Sequence, residues 1–265
     1  MAESTVARTF DILEAVAASG GASAKEIADA TGLPLPTVYR LVRELLDGDY
    51  LVHIRDEKRF ELGYKLHALG VSLHEQVGLS RQVRAEIAGL HHHLGVAAYL
   101  AVHRGSHIVV VHTVDSPQHP RLAPIDVGFS QAAHATALGK ILLAAMDDDE
   151  RLLLLDPEPM PRYGPGTITT HAELFAQLDA VRERGVAWEF GEVQAGATCA
   201  AAPVRGVAGA LVGSVAISAP DARLAGERAR TEVEHALREA AARVGRCYRA
   251  GARGRPSPGH LLARR

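Results

Sequence analysis

The segment KEIADATGLPLPTVYRLVREL, residues 25–45, constrains the fold more than any other part of the chain. It has the pattern of two short helices that cross at a tight turn. Such a crossing needs a small residue, here Ala28, and a turn residue that tolerates a left-handed backbone, here Gly32. The apolar residues that would anchor the two helices lie at the expected offsets and are Ile27, Leu33, Val38 and Leu41. The segment therefore predicts a helix-turn-helix.

Further elements flank this segment on both sides. An amphipathic helix is predicted over residues 4–18. Its apolar residues at helical spacing are Val6, Phe10, Leu13 and Ala17. Two extended runs, residues 50–54 and 59–62, follow the segment and are joined by a polar turn, which predicts a β-hairpin. This order is that of a winged helix-turn-helix domain, which is predicted over residues 1–62.

The outer face of the second helix is polar and basic. Its buried stripe is predicted to be Val38, Leu41, Val42 and Leu45. The residues predicted to face the major groove of double-stranded operator DNA are Leu35, Thr37, Tyr39, Arg40 and Arg43. Arginine on such a helix can reach guanine edges or phosphates. The hairpin adds Arg55, Lys58 and Arg59, which are predicted to contact phosphates or the minor groove.

The charge balance leaves open a second interpretation of the predicted winged helix-turn-helix domain, called the head below. Residues 1–64 hold seven Lys and Arg against eleven Asp and Glu, and the whole chain has a net charge of −2. Any basic surface must therefore be local, and acidic residues such as Asp11 and Glu14 must lie away from the DNA. In the alternative, the head is a small helical module that binds protein, and Arg40 and Arg43 are merely solvated.

The remainder of the chain alternates strands and helices. A linker helix is predicted over residues 63–78 from the helical spacing of its leucines. Strands are predicted at 96–103, 107–114, 186–190, 198–204 and 210–218, and helices at 80–93, 136–146, 148–155, 171–184 and 221–247. Together with the head, these elements predict an α+β protein whose second domain spans residues 79–248. Residues 249–265 hold five Arg and no acidic residue, which is typical of a basic disordered tail.

Short start signals mark several of these helices. The capping-box pattern occurs at Ser23 with Glu26, at Asp147 with Glu150 and at Thr170 with Glu173. Thr136 is a further predicted N-cap. This cap would leave the backbone N–H groups of Ala137 and Leu138 pointing out of the helix, where they favour an anion. A carboxylate-bearing guest is therefore expected at this helix.

Composition excludes several classes of protein. Hydrophobic residues make up 47% of the chain, which is enough for buried cores. No apolar run reaches the roughly 18 residues that a membrane helix needs. The two cysteines, Cys199 and Cys247, are too few for a disulfide framework, and no signal peptide is seen, so a reduced, cytoplasmic protein without a membrane partner is expected. Dinucleotide-binding and P-loop glycine patterns are absent, and neither a cofactor nor a catalytic residue is predicted.

Three segments resemble the IclR family of transcriptional regulators, and the resemblance extends over residues 4–247. They are GLPLPTVYRLVREL (32–45), HATALGK (134–140) and GVAWEFGEVQAGATCAAAPV (185–204). The family implies a GAF-like α/β effector-binding domain with an antiparallel sheet, assembly into homodimers or homotetramers, and control by small organic acids or aromatic metabolites. The sequence departs from the family pattern at Pro36, where a small hydroxyl residue is usual, and at Glu189, where Asp or Ser is common. Ala201 is a third departure, because a larger aliphatic residue is usual there.

The resemblance also implies an effector pocket. Its residues would be Ala137, Leu138, Glu189, Cys199, Ala216 and Ser218. Family members that bind very small acids often have a second hydroxyl at the position of Ala216, so its absence favours a larger or less polar effector. Glu189 could instead bind a hydroxyl or an amine of the effector, and Cys199 could simply be a small buried strand residue.

The strand predicted at 210–218 has two different faces. Leu211, Gly213, Val215 and Ile217 would face one way, towards helices, and Val212, Ser214, Ala216 and Ser218 the other way. The second face is small and partly polar, as a compact ligand pocket requires. A plain sheet face with small side chains would give the same pattern.

Two features admit other chemistry. His91, His92 and His93, with His103, His107 and His112 nearby, invite a metal site. Adjacent helical residues point about 100° apart, no zinc-binding spacing accompanies them, and a solvated helix face without a metal is predicted. Cys199 with His134 could form a thiol nucleophile, but no third, orienting residue is evident.

Two functions therefore remain. The predicted one is a DNA-binding transcriptional regulator, a repressor and not an enzyme, that is controlled by a small carboxylate or aromatic metabolite. The alternative is a GAF-like metal or redox sensor, or an enzyme, that uses the histidine-rich region or Cys199.

Overall fold

The computed structural model describes residues 4–104, 107–123, 125–129 and 131–251. The chain divides into two compact units, residues 1–74 and 75–265, each with its own apolar core. The division falls inside a helix, Tyr64–Gln76, that begins close to the predicted start of the linker. None of this helix's residues, all of which are described, is buried.

The first unit is a helix-turn-helix followed by a hairpin, as the sequence predicts. Its elements are α1 (Thr5–Ala18), α2 (Ala24–Thr31), α3 (Leu35–Asp47), β1 (Leu51–Ile54) and β2 (Arg59–Leu62). The two strands pair antiparallel, with Leu51 opposite Leu62. The backbone of Ala22, in the loop between α1 and α2, also pairs with Phe60 of β2.

Local chemistry explains why α2 and α3 begin and end where they do. The Ser23 hydroxyl accepts a hydrogen bond from the Glu26 amide, and the Glu26 carboxylate accepts one from the Ser23 amide, so the predicted capping box is present. Gly32 ends α2 with a φ of +69°, the left-handed conformation that the turn requires. Pro36 lies in the first turn of α3, where the missing amide disrupts no helical hydrogen bond.

The buried face of α1 differs from the predicted one. Ile12 and Val16 are the residues of α1 that are fully buried in the core of the first unit. Val6 and Phe10 are 62% and 58% exposed, and of the predicted stripe only Leu13 packs against this core. The helix has two apolar stripes, and helical spacing alone did not identify the one that packs on α2 and α3.

The second unit is built on one antiparallel sheet. After the linker helix, α4, its elements are α5 (Arg81–Leu94), β3 (Ala97–Arg104), β4 (His107–Val114), α6 (Ala137–Ala144), α7 (Asp148–Leu154), α8 (His171–Arg184), β5 (Ala187–Phe190), β6 (Ala197–Arg205), β7 (Leu211–Pro220) and α9 (Glu227–Gly251). Single 3₁₀ turns lie at Val207–Gly209 and Asp221–Arg223. The strand order is β4-β3-β7-β6-β5, with every neighbouring pair antiparallel. The α+β class and the antiparallel sheet are confirmed.

The sheet lies between two layers of helices, each with its own core. On one face Val215 and Ile217 of β7 pack in a cluster with residues of α5 and α9. On the other face Ala216 packs in a cluster with residues of α6 and α8. The strands are therefore buried on both sides, and the alternation of β7 separates an α5–α9 core from an α6–α8 core.

Four predictions about the second unit are corrected by the structure. The helix predicted at 221–247 begins at Glu227 and continues to Gly251, so the predicted tail is helical at its start; residues 252–265 lie outside the described part of the chain. Thr170 caps α8 without the side-chain hydrogen bond of a capping box. A register shift opposite residues 204–205 moves Leu211 to the α6–α8 side and Val212 to the α5–α9 side, the reverse of the simple alternation.

Candidate functional site

The recognition surface on α3 has the predicted division into two faces. Val38, Leu41, Val42 and Leu45 are buried. On the opposite face Tyr39 is 56% exposed, and Arg40 and Arg43 are exposed as well. Leu35 is exposed at the start of the helix, and Thr37 is half-buried. Within the first unit, the helix thus offers an aromatic ring and two guanidinium groups to solvent, the side chains that read base edges and phosphates.

The three predicted hairpin residues do not share one environment. Arg55 and Lys58 are exposed in the turn between β1 and β2. Arg59 is half-buried, and its guanidinium donates a hydrogen bond to the Gly20 carbonyl at 2.8 Å. Arg59 is thus bound to its own unit, whereas the other two cations remain available.

A small cavity lies on the α6–α8 side of the sheet. Its volume is about 10 Å³, which is roughly the space for one water molecule. The lining residues are Tyr99, Ile125, Thr136, Ala137, Leu138, Val193, Cys199, Ala216 and Ile217. Of the six predicted effector residues, Ala137, Leu138, Cys199 and Ala216 line the cavity, while Glu189 and Ser218 are buried but are not among its lining residues.

Tyr99 is the main pocket residue that the sequence analysis missed. Its hydroxyl shares a 2.8 Å hydrogen bond with the Ser218 hydroxyl and accepts a 3.1 Å hydrogen bond from the Leu122 amide. Burial raises the pKa of Tyr99 to about 12, so the phenol stays neutral. Tyr99 is opposite Ala216 across β3 and β7, and this register could have located it had the strand order been known.

The first turn of α6 is the candidate anion site and lines the cavity. The Thr136 hydroxyl accepts a hydrogen bond from the Gly139 amide at 3.0 Å, so Thr136 is the N-cap that the sequence predicts. The amides of Ala137 and Leu138 belong to the same turn, where no helical carbonyl precedes them as an acceptor. Every residue of α6 is buried, so the positive end of its dipole is poorly screened by water.

A buried polar network lies next to the cavity. The Lys140 ammonium forms an ion pair and hydrogen bond with Oε1 of Glu192, and both side chains are buried. Oε1 of Glu189 accepts hydrogen bonds from the amides of Glu192 and Val193, each at 2.7 Å. The Oε2 atoms of Glu189 and Glu192 are buried and have no hydrogen-bond partner among the described residues. Glu189 therefore shapes the loop that carries Val193 to the cavity.

Burial controls the protonation of this network. Desolvation raises the pKa of Glu192 to about 7, although the charge of Lys140 opposes the shift. Desolvation also raises the pKa of Glu189 and lowers that of Lys140. Burial thus disfavours the charged forms of all three groups, while the pairing of Lys140 with Glu192 and the amide hydrogen bonds to Glu189 favour them.

The thiol chemistry considered from the sequence has no suitable geometry. Cys199 is buried, and desolvation together with the nearby Glu189 raises the pKa of its thiol well above the usual value. Its imagined partner His134 is hydrogen-bonded through Nε2 to the Pro161 carbonyl at 2.9 Å. A protonated thiol in an apolar wall is a poor nucleophile.

The histidine-rich region is only in part a solvated helix face. His92 and His93 are exposed, but His91 is buried, and its Nδ1 lies 2.7 Å from the Val96 carbonyl oxygen. The prediction was therefore wrong for His91, which lies in the last turn of α5 and is buried. In the part of the chain that the structure describes, no three His, Cys, Asp or Glu side chains are grouped to hold a metal ion. None of the helices in the described residues has the length and apolarity needed to span a bilayer.

A winged helix-turn-helix unit, joined to a second unit that encloses a small pocket beside a helix N-terminus, defines a ligand-responsive transcriptional regulator. Comparison with known proteins agrees. Residues 72–246 match the model of the bacterial transcriptional regulator IclR C-terminal domain, and residues 5–54 match that of the IclR helix-turn-helix domain. The chain belongs to the IclR family. This is a family of regulators and not of enzymes, as the sequence predicts.

Similar proteins extend over most of the chain. The HTH-type transcriptional regulator KdgR of Escherichia coli is 28% identical over 225 residues, which cover 85% of both chains. The glycerol operon regulatory protein of Streptomyces griseus is 31% identical over 227 residues, covering 85% of this chain and 88% of its own. The crystal structure of an IclR homologue from Microbacterium hydrocarbonoxydans, complexed with 4-hydroxybenzoate, is 25% identical and superposes with a TM-score of 0.75 over 93% of this chain and 100% of its own.

Proposed function

We propose that this regulator is a repressor whose affinity for operator DNA is controlled by a small aromatic or otherwise largely apolar carboxylate bound beside α6. The observation that carries the proposal is the buried first turn of α6, with the amides of Ala137 and Leu138 beside an otherwise mostly apolar cavity. Such a site can bind a ligand that has an anionic group at one end and an apolar body.

The cavity walls favour a ring or a branched chain over a very small acid. Ile125, Leu138 and Val193 supply apolar surface, and Ala216 supplies no hydroxyl. A volume of about 10 Å³ is too small for a benzoate ring, so binding requires the walls to move apart. Ile125 and Val193 lie outside the helices and strands, so their displacement would disturb the core less than movement of a strand.

The polar groups beside the cavity favour an effector with a hydroxyl in addition to its carboxylate. The hydroxyl pair of Tyr99 and Ser218 could exchange a hydrogen bond with it, and Oε2 of Glu189 is a buried acceptor. The 4-hydroxybenzoate bound by the Microbacterium relative has a carboxylate, a ring and a hydroxyl. This makes 4-hydroxybenzoate a reasonable first probe for the present protein.

On the DNA side, α3 would enter the major groove with Tyr39, Arg40 and Arg43, while Arg55 and Lys58 of the hairpin would contact phosphates. Two such heads in a homodimer, or two pairs in a homotetramer, would bind neighbouring half-sites on operator DNA in the bacterial cytoplasm. Effector changes operator affinity only if it binds differently to the DNA-competent and incompetent states.

The decisive experiment begins with the genomic DNA that co-purifies with the protein. Sequencing should reveal one or a few enriched sites, and fluorescence anisotropy then measures their affinity with and without 4-hydroxybenzoate. The proposal expects tighter binding to the enriched site than to scrambled DNA, and weaker binding when 4-hydroxybenzoate is added but not when the uncharged 4-hydroxybenzamide is added. Absence of any enriched site would favour the protein-binding interpretation of the head. A tighter complex with 4-hydroxybenzoate would contradict simple effector-relieved repression, and an unchanged one would count against this class of effector.

A further inference from the structure

Arg59 differs from the other hairpin cations in that its charge is already used inside the first unit. Besides the hydrogen bond to Gly20, its Nη1 lies 3.6 Å from a carboxylate oxygen of Glu57 and its Nε lies 3.8 Å from one of Glu61. Among the described residues, neither Arg55 nor Lys58 has a carboxylate at such a distance. Both acids lie beyond hydrogen-bond distance, but a phosphate would have to compete with these two carboxylates for the charge of Arg59.

The loop between α1 and α2 is shaped to receive this guanidinium. A Cβ atom on Gly21 would lie 2.3 Å from the terminal nitrogen of Arg59 and 2.6 Å from its Nε, so any other residue would displace the group. Gly21 also has a φ of +122°, which residues with side chains rarely adopt. The close approach of Arg59 to this loop therefore depends on a glycine at position 21.

The same loop is joined to the hairpin by its backbone. The Ala22 amide donates to the Phe60 carbonyl at 2.9 Å, and the Phe60 amide donates to the Ala22 carbonyl at 2.7 Å. Arg59 and Phe60 are consecutive, so a side-chain contact and a two-bond backbone bridge hold one short stretch of β2 against one loop. Together they fix the angle at which the hairpin leaves the helical body.

We infer that Arg59 is a positioning residue that holds the wing, which is the β1–β2 hairpin, on the α1–α2 loop and makes no phosphate contact. The basic contribution of the wing to DNA binding then comes from Arg55 and Lys58. This inference rests on the proposed DNA-binding function, and it replaces the expectation that all three cations contact DNA.

Charge-retaining and charge-removing variants separate the two roles. Arg59→Lys keeps the charge, but lysine lacks the branched guanidinium group whose separate nitrogens face Gly20 and two acids. Gly21→Ala keeps Arg59 itself but displaces it. If Arg59 positions the wing, then Arg59→Gln, Arg59→Lys and Gly21→Ala should weaken operator binding to a similar extent, by about tenfold. Their slopes of log affinity against log salt should agree with one another.

A phosphate contact gives a different pattern. Arg59→Gln would then have a slope shallower by about 0.9 than Arg59→Lys, since each lost phosphate contact removes about that much. That difference would overturn the inference. Lys58→Gln is the matched control, and it should show the shallower slope without loosening the wing.

Hydrogen exchange tests the positioning role without DNA, so failure of the proposed function cannot obscure it. The amides of Ala22 and Phe60 should exchange at least about threefold faster in Arg59→Gln and in Arg59→Lys than in the native protein. They should be unchanged in Lys58→Gln. Unchanged exchange in both Arg59 variants would refute the inference, even if Gly21→Ala fails to fold.

Discussion

The Lys140 ammonium and the Glu192 carboxylate form an ion pair from which solvent is almost excluded, with side-chain exposures of 0% and 4%. The pair joins α6, whose first turn is the candidate anion site, to the loop whose next residue, Val193, lines the cavity. Two walls of the pocket are thus connected by one charged contact. Desolvation makes this ion pair costly to form. Removal of one partner alone is also costly, because it leaves the other charge buried and unpaired.

Replacement of Lys140 by Met should therefore be strongly destabilising at alkaline pH. It leaves the Glu192 carboxylate buried without its counter-charge, and the expected loss is about 3–5 kcal/mol of unfolding free energy. Urea unfolding at pH 8 measures it. The double variant Lys140→Met with Glu192→Leu removes both charges and should recover most of the loss. A double variant no more stable than the single one would show that packing, and not charge, is responsible.

The pH dependence of stability should carry the signature of Glu192. Its pKa is raised from 4.5 to about 7, so the folded chain binds this proton more tightly than the unfolded chain. The resulting stability is fully present below pH 4.5 and is lost as the pH rises through about 7. The loss should be on the order of 1–3 kcal/mol.

The measurement compares urea unfolding of the native protein and Glu192→Gln between pH 4.5 and 8. The native protein should lose stability relative to the variant as the pH rises, because glutamine does not titrate. Glu232→Gln, at an exposed position of α9, is the matched control and should run parallel to the native curve. Parallel curves for Glu192→Gln as well would contradict the raised pKa.

The predictable parts of this molecule are those fixed by neighbours in sequence. The Ser23–Glu26 capping box and the left-handed Gly32 depend on a few adjacent residues, and both were located from sequence alone. The buried face of α1 was not located from the sequence. Val6 with Phe10 and Ile12 with Val16 are both apolar pairs, and only the packing shows that the second pair is buried.

The pocket shows the same limit more strongly. The N-cap Thr136 and the start of α6 could be predicted from neighbouring residues in the sequence. Tyr99, in contrast, reaches the cavity through the pairing of β3 with β7. The partner of Lys140 lies 52 residues away, and nothing in the local pattern marks that lysine as buried. Such sites depend on strand order and register, which hydrophobic periodicity does not specify.

Tyr99→Phe should affect stability through the groups that it leaves behind. The Ser218 hydroxyl and the Leu122 amide would both lose a partner in a buried region. The expected cost is about 1–3 kcal/mol, measured by thermal or urea unfolding. Tyr163→Phe removes a hydroxyl from a side chain that is 45% exposed and should be nearly neutral. Equal effects of the two substitutions would show that the buried hydroxyl has no special role.

The recognition helix makes a separate prediction. Arg40→Ala or Arg43→Ala should cost about 1–3 kcal/mol of specific operator binding if that arginine reads a base. The enriched genomic site provides the DNA, and anisotropy titration against scrambled DNA provides the specificity. Arg228→Ala, an exposed arginine of α9, is the control and should bind as the native protein does. Native affinity and specificity in both α3 variants would remove α3 as the reading element.

Tyr248 provides a way to separate effector binding from its consequence. Its hydroxyl donates to the Val77 carbonyl at 3.0 Å, and a Cβ on Gly78 would lie 2.7 Å from its ring. These contacts hold the segment between α4 and α5, and Val77 packs in the α5–α9 core, on the face of the sheet opposite the cavity. The segment and the cavity thus lie on opposite faces of the sheet.

Tyr248→Phe removes the hydrogen bond and keeps the ring. If the segment must be held for effector occupancy to alter the DNA-binding state, the variant should bind 4-hydroxybenzoate within about twofold of the native protein and still show a smaller effector-induced change in operator affinity. Coupling between sites typically amounts to about 5- to 150-fold in affinity, so a loss of even half the coupling free energy is measurable by titrating operator at saturating effector. Cys247→Ser, one residue earlier on the same helix turn, is the control. A full effector response in Tyr248→Phe would mean that the segment is held sufficiently by its packing, and that the hydrogen bond to Val77 plays no part in transmission.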